Sequence, residues 1–375
     1  MAIEIWNGIE HNLGFGYMRL PMTDGKFDYE SVNEMVDAFM AHGYYYFDTA
    51  YTYEGSEEAL RKSLVERYPR DRFWITTKCN LIDMKDPSGM EDQLQTSLKR
   101  LGTDYIDCYF LHGLGGPLVK KASDYGAWDW LRSVKARGLA KHIGFSFHGT
   151  PEQLEEILSR EAEIEVVQLQ INYLDWESEE VKAHQLYDIA HAHGKWITIM
   201  EPSKGGLLTS ETSPYGEYLK SRNPDVSVAS WAFRFCAGLD GILAILSGMC
   251  NVEQIEDNAK TLGGYVPLSD AERADIAKAV EMIHAIPRVP CTACRYCTKN
   301  CPKQLPIPHF MRIYNELIQY KAEDSSRYVY TMSTPEDKRA SNCVGCKSCE
   351  QHCPQHIEIT KVLAELAERL EDKKE

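Results

Sequence analysis

Short apolar runs rich in β-branched and aromatic residues recur along the first three quarters of the chain, with helically spaced segments between them. The runs are Leu13–Met18, Tyr45–Ala50, Phe73–Lys78, Tyr105–His112, His142–Phe147, Val166–Asn172, Trp196–Glu201 and Gly241–Gly248. Between them, Tyr29–His42, Ser56–Tyr68, Gly89–Leu101, Tyr125–Arg137, Thr150–Arg160, Ser178–His193 and Val226–Cys236 carry helical spacing. Thr150-Pro151-Glu152-Gln153 reads as a helix start, a capping residue followed by Pro at the first helical position. Runs apolar on both faces, such as Trp196 to Met200, suit a parallel sheet buried under helices. Eight such β–α units over roughly 260 residues predict a (β/α)8 TIM barrel of the α/β class. The competing doubly wound nucleotide fold lacks its signature. Gly14 and Gly16 match its first two glycines, but Arg19 holds the third position and Pro21 follows where a helix should start.

Charge and cysteine divide the chain in two. The 41 basic and 56 acidic residues leave a net charge of −15 over 375 residues. From Pro287 onward there are 14 basic and 12 acidic residues, a net of +2, which leaves −17 to the first 286. An acidic protein of this kind argues against nucleic acid as its partner. The longest apolar stretch, Gly241 to Cys250, is about half of the roughly 20 residues a membrane helix needs, so no membrane partner is expected. Glu4 and Glu10 stand where an export signal would be basic, which predicts a cytoplasmic protein with reduced thiols. Of 12 cysteines, four are scattered (Cys79, Cys108, Cys236, Cys250) and eight lie after residue 290. Reduced and clustered, those eight predict metal rather than disulfides. The expected domains are 1–286, the barrel, and 287–375, a small, mainly α-helical metal domain.

In a barrel of this type, chemistry sits where strands end. Asp48, Lys78 and His112 close three neighbouring predicted strands, and Tyr53 follows in the next loop. Singly, each has an ordinary structural explanation; together they converge on one mouth. Their joint chemistry is proton delivery to a carbonyl. A free Tyr has a pKa of about 10, and a nearby ammonium favours its phenolate. Asp48 would orient Lys78, while His112 would hydrogen-bond the oxygen on which negative charge develops. The hydride must come from a cofactor, since no side chain donates one.

These residues sit in stretches that resemble the aldo-keto reductase family. The stretches are Gly14 to Pro21, Phe47 to Glu57, Thr76 to Lys78, Leu98 to Asp107, Leu111-His112, Ile143 to Ser146 and Gly248 to Asn258. The resemblance implies a nicotinamide-dependent barrel, NAD or NADP, acting on a small carbonyl or alcohol. It maps the catalytic tetrad onto Asp48, Tyr53, Lys78 and His112, with Tyr53 as general acid. It also implies that Ser146 and Gln168 hold the carboxamide, and that Pro202 to Gly206 with Gly248 to Asn258 hold the pyrophosphate and adenosine. The cofactor set is then Met18, Arg19, Asp48, Ser146, Gln168, Met200, Pro202, Lys204, Gly206, Gly248, Asn251, Gln254, Asp257 and Asn258. Three positions depart from the family pattern. Phe147 replaces an Asn, Met200 replaces a stacking aromatic, and Gln254 and Gly248 replace the Arg and Lys that often grip a 2′-phosphate. NAD and NADP therefore stay open, with Lys204 the one nearby cation nominated.

The cysteine tail is more specific still. Cys291-x2-Cys294-x2-Cys297-x3-Cys301-Pro302 is repeated, after 41 residues, as Cys343-x2-Cys346-x2-Cys349-x3-Cys353-Pro354. This is the bacterial ferredoxin run twice, in which the fourth Cys turns to the other cluster. It predicts two [4Fe–4S] clusters, one on Cys291, Cys294, Cys297 and Cys353, the other on Cys343, Cys346, Cys349 and Cys301. Zinc is the competing metal, disfavoured by two complete runs. Pro308–Tyr320 and Ile359–Leu370 have helical periodicity. The tail resembles the helical dicluster ferredoxin type, and the two parts together resemble the aldo-keto reductases with a C-terminal ferredoxin domain common in anaerobes. A conflict follows, because hydride carries two electrons and each cluster takes one. The clusters then support the barrel, sense redox state, or pass electrons to a redox partner protein.

Overall fold

The computed structural model describes residues 12–23, 25–291 and 293–371; the opening Met1–Glu10 lies outside them. Eight strands close a parallel barrel in the order β1-β10-β9-β8-β7-β6-β5-β4. They are β1 (Leu13–Gly16), β4 (Tyr46–Asp48), β5 (Trp74–Asn80), β6 (Ile106–Leu114), β7 (Ala140–Phe147), β8 (Val166–Gln170), β9 (Trp196–Met200) and β10 (Ile242–Ser247). Two short strands, β2 (Met22–Thr23) and β3 (Lys26–Phe27), form a separate hairpin after β1. Every strand read from the sequence is present, within two residues at either end.

Around the barrel run α1 (Tyr29–Ala41), α2 (Ser56–Leu60), α3 (Ser88–Leu101), α4 (Pro117–Asp124), α5 (Ala127–Ala136), α6 (Pro151–Arg160) and α7 (Ala183–Ala192). Helix α8 (Pro214–Arg222) precedes α9 (Val228–Ala237) and α10 (Val252–Gly263). Helix α1 shows why these segments fold. Asp28 accepts from the Ser31 amide, and Val32, Met35, Val36 and Phe39 fall on one face and are fully buried. Each such side chain stabilises the fold by about 1.5–3 kcal/mol. At α6, Thr150 caps the helix and Pro151 sits in its first turn, as the sequence predicts, and Gln153 completes a reciprocal capping box with Thr150.

Three expectations differ from the structure. The single helix over Ser56–Tyr68 is α2 followed by a π-turn, Arg61–Val65, where buried Ser63 donates to the Ala59 carbonyl. The helix expected from Ser178 starts at Ala183, because Lys182 adopts a left-handed backbone. Between the run that ends at His112 and the helical segment that begins at Tyr125, where no element is expected, lies α4, whose Pro117 sits in its first turn.

Strand alternation builds two layers. One face of the strands carries Leu13, Phe47, Ile75, Tyr109, Phe145, Val167 and Ile199 into the core shared with the helices. The other turns inward, where Tyr46, Cys108, Phe110, Val166, Ala244 and Leu246 pack with Trp74, Trp196 and Met200. The crowding there dictates Gly144: a Cβ at that position would lie 2.3 Å from the Val166 carbonyl oxygen and 2.7 Å from the Phe110 ring.

Among the described residues two compact units emerge: residues up to Ser203 with Ala229–Ser269, and Lys204–Val228 with the residues from Asp270 onward. The second holds α8, α11 (Asp270–Ala285), α12 (Tyr296–Lys299), α13 (Ile307–Tyr320), α14 (Glu323–Ser333), α15 (Ser348–Gln351) and α16 (Ile359–Leu370). Its core is a cluster of Leu305, Ile307, Phe310, Ile313, Leu317 and Tyr330 with Val362, Leu363, Leu366 and Leu370. No helix among the described residues is long and apolar enough to cross a membrane.

Candidate functional site

The inward parity of the strands brings the predicted polar residues together at their C-terminal ends. Asp48 ends β4, Lys78 lies near the end of β5, and His112 near the end of β6. Pairing sets Thr76 beside Asp48, and Asn80 beside His112, while Ser146 on β7 pairs with Gln168 on β8. Lys78 is 1% exposed, and its ammonium donates to Asp48 Oδ1 at 2.7 Å, Asp48 Oδ2 at 2.8 Å and the Thr49 carbonyl at 2.7 Å. Three donors meet three acceptors. Gln168 Nε2 adds a longer contact to Asp48 Oδ2, 3.4 Å. Burial lowers the Lys78 pKa and raises that of Asp48, while their mutual attraction opposes both shifts.

Tyr53 stands over this pair. The Lys78 Nζ is 5.5 Å from the centre of its ring, and the His112 ring meets it edge-on at 5.7 Å and 82°. His112 is pushed down to about 3 by burial, then by the Lys78 charge and by His148. It is therefore neutral at pH 7. Thr52 Oγ1 lies 3.4 Å from His112 Nδ1.

Two contributors were invisible in the sequence. The Thr49 carbonyl, which accepts the third hydrogen bond from the Lys78 ammonium, belongs to a backbone that residue type does not report. His148 follows β7 and influences His112 electrostatically; no spacing rule links positions 112 and 148.

The residues assigned to the cofactor fall into groups. Ser146 is buried, and its hydroxyl accepts from the Gly113 amide at 2.7 Å. Gln168 is buried beside Asp48, and half-buried Met200 packs on the inner layer of the barrel. Arg19 lies 3.9 Å from Glu201 and runs past Gly248, whose absent Cβ would meet it at 3.7 Å. Beside it, Met18 is exposed and Pro202 is buried. Asn251 and Gln254 form the N-terminal cap of α10: Asn251 Oδ1 accepts from the Gln254 amide at 2.9 Å, and Gln254 Oε1 from the Cys250 amide at 2.8 Å. Asn258 donates to Ser247 Oγ at 3.1 Å, and Asp257 is half-buried one residue before it. Lys204 and Gly206 belong to the second compact unit.

In that unit the eight tail cysteines line two hollows. Cys291, Cys294, Cys297 and Cys353 face one, together with Ile307 and Met311. Cys301, Cys343, Cys346 and Cys349 face the other, with Leu305 and Leu363. The fourth Cys of each run thus crosses to the hollow of the other run. The two runs also share a backbone shape. Arg295 and Lys347 have φ of 64° and 58°, and Gln304 and His356 have φ of 52° and 51°. Among the described residues no group of three or more His, Cys, Asp or Glu closes tightly enough for a single metal ion. Four thiols around each hollow are the donor set a cubane takes.

Comparison with known proteins identifies both parts of the chain. Residues 12–281 match the aldo/keto reductase family model, and residues 290–358 match the 4Fe-4S dicluster domain. An aldo-keto reductase of Mycolicibacterium smegmatis is 35% identical over 136 residues, 36% of this chain and 46% of that protein. An NAD/NADP-dependent indole-3-acetaldehyde reductase of Schizosaccharomyces pombe is 27% identical over 210 residues, 56% of this chain and 70% of that protein. The chain thus spans about half to two thirds of the length of these relatives. The barrel is similar in fold to the holo form of an aldo-keto reductase from Bacillus halodurans, with TM-score 0.59, 24% identity, and coverage of 72% of this chain and 91% of that one. With the family model covering most of its length, the chain belongs to the aldo/keto reductase family and carries a 4Fe-4S dicluster domain after its barrel.

Proposed function

We propose that this protein is an NAD(P)-dependent oxidoreductase that moves hydride between nicotinamide and a small carbonyl or alcohol, with Tyr53 as general acid. The observation that carries the reading is the buried Asp48–Lys78 pair under Tyr53 beside a neutral His112. A bound nicotinamide supplies the hydride that no side chain can. Tyr53 gives its phenolic proton to the carbonyl oxygen. Lys78, fixed by Asp48 and the Thr49 carbonyl, provides a positive field that favours the phenolate left behind. In the tautomer whose Nδ1 accepts from the Thr52 hydroxyl, the His112 proton sits on Nε2, where it can be donated to the oxygen that gains charge. Met18, Arg19, Ser146, Gln168, Met200, Pro202, Lys204, Gly206, Gly248, Asn251, Gln254, Asp257 and Asn258 are the cofactor contacts we assign by family resemblance. The named S. pombe relative uses NAD or NADP, and we leave this chain the same choice.

We further assign the two clusters to the crossed cysteine sets, place the domain boundary between residues 286 and 287, and read the protein as cytoplasmic. Bound cubanes supply one-electron chemistry. A second reading, electron exchange with a redox partner protein, is favoured by the exposure of Cys294 and Cys346, one ligand from each hollow.

The test is a titration of anaerobically prepared protein with NADH and NADPH, followed by turnover of a carbonyl panel. Tyr53→Phe should bind nucleotide as the parent does and lose the chemical step by about 10²–10⁴-fold. Parental turnover in Tyr53→Phe would exclude it as the acid.

A further inference from the structure

The connection from β9 to α9 carries Lys204 and Gly206, and most of it belongs to the second compact unit. Its opening is conformationally unusual: Lys204, Gly205 and Gly206 have successive positive φ values of 51°, 63° and 90°. For a lysine that backbone is uncommon and has to be held by its surroundings. Local bonds run from Leu207 to the Lys204 carbonyl and from Thr209 to the Gly206 carbonyl, and further contacts reach this connection from the corner between α13 and α14. A Cβ on Gly206 would come within 2.8 Å of Ser325 Oγ, so the turn lies directly against that side chain. Lys321, the left-handed cap of α13, donates to the Thr212 carbonyl at 3.5 Å. Tyr320 meets the Tyr215 ring edge-on at 6.4 Å, and the Tyr215 hydroxyl in turn donates to the Leu207 carbonyl, closing the link back to the turn. The opposite end of α13 borders the thiols: Ile307 faces both hollows and Met311 faces one. Its 14 residues, at about 1.5 Å each, form a strut from the cysteines to the loop.

We propose that the α13–α14 corner, Tyr320 to Ser325, is a positioning element for the Lys204–Gly206 turn, through which the cysteine tail sets nucleotide affinity. This rests on the reading above, in which that turn contacts the nucleotide. The tail then contributes to the hydride reaction without carrying an electron. It holds a loop of the barrel's own sequence in the shape that binds cofactor.

The experiment compares Ser325→Trp, which forces bulk against Gly206, with Ser325→Ala, which does not. Tyr320→Ala and Tyr320→Phe form a second pair. All are made in the full chain, prepared anaerobically, with iron content measured on each. Nucleotide dissociation constants are read from reduced-nicotinamide fluorescence. Ser325→Trp and Tyr320→Ala should weaken binding about tenfold, the effect of releasing one strained turn. Their KM for nucleotide should rise in step, while kcat at saturating nucleotide stays parental. Ser325→Ala and Tyr320→Phe should stay within about twofold of the parent. Parental affinity in both disruptive variants at full iron content overturns the positioning role and leaves the function reading intact. A parent chain that binds neither nucleotide overturns both. If the disruptive variants fail to hold iron, parent protein stripped of iron by a chelator replaces them: weakened nucleotide binding supports the strut, and unchanged binding overturns it.

Discussion

Replacing Lys78 with methionine isolates the energetics of the buried pair. In the parent, the ammonium meets Asp48 through two hydrogen bonds of 2.7 and 2.8 Å, and both side chains are nearly fully enclosed. Methionine fills similar volume but removes the ammonium that pairs with Asp48. Its carboxylate keeps the 3.4 Å bond from Gln168, and the Thr49 carbonyl loses its bond from Lys78. Breaking a buried pair on one side costs about 3–5 kcal/mol, because the remaining charge is left in a low dielectric. The pH dependence has a definite sign. Burial already raises the Asp48 pKa, and loss of Lys78 removes the charge that opposed the rise. A carboxyl raised in the folded state contributes stability below its unfolded pKa and loses it as pH climbs through the folded value. The penalty in Lys78→Met is therefore larger at pH 8 than at pH 5, because lower pH moves the raised Asp48 carboxyl toward its protonated form. The assay is the urea midpoint of the near-ultraviolet signal, at both pH values, in anaerobic protein of equal iron content. Lys78→Met with Asp48→Asn should recover most of the loss, since neither charge then remains. A single variant as stable as the parent at pH 8, or a gap that fails to narrow toward pH 5, would refute the argument.

His112 should leave no mark on activity near pH 6.5. Held down to about 3 by burial and by the Lys78 charge, it stays neutral across the working range, and a limb in kcat/KM between pH 6 and 7 that vanishes in His112→Gln would contradict this. Its linkage also has a sign: the unfolded chain takes up a proton near the ordinary histidine pKa, so His112 destabilises the fold progressively from about pH 6.5 toward 3. Anaerobic protein should carry about eight irons and eight labile sulfides per chain, and zinc in their place would exclude the cluster assignment. The crossed hollows add a sharper expectation. Cys353→Ser should disturb the same cluster signal as Cys294→Ser, and Cys301→Ser the same signal as Cys346→Ser, so paired effects within each sequence run would contradict the crossing.

Much of this was readable because the physics is local. All eight barrel strands appear where short apolar runs stand between turn-forming residues, and β parity alone aims Asp48, Lys78 and His112 inward. The cysteine runs are legible for the same reason: a fixed spacing and a following proline repeat one backbone shape, down to the left-handed Arg295 and Lys347. What escaped depends on partners distant in sequence. The π-turn after α2 arises where buried Ser63 lies 2.9 Å from the Tyr17 hydroxyl across the core. Helix α14 has few apolar residues, and only Ser326 and Tyr330 are buried from it, too few to show a helical stripe. Gln254 looked like a nucleotide contact, yet in the fold its side chain already caps α10 with Asn251, which any cofactor role must accommodate.

The division of the chain in space is the least legible feature and bears most on function. Charge and cysteine content change near Pro287, and the sequence reads as two parts joined there. Packing also gathers Lys204–Val228 and α11 with the tail. The reason lies in what each segment buries. Tyr218 and Arg222 of α8 both bond Asp275 of α11, Tyr215 meets Tyr320, and Gln319 donates to the Ile283 carbonyl at 2.8 Å. None of these pairs is close in sequence, and none has a spacing that announces it. A tail attached by a linker alone would be free to carry electrons independently of the barrel. A tail that shares a packed unit with the β9–α9 connection is tied mechanically to a segment of the barrel's own chain. Loss of the clusters should then be felt in nucleotide binding before any electron is moved, which separates a supporting role for the iron from a conducting one in a single measurement.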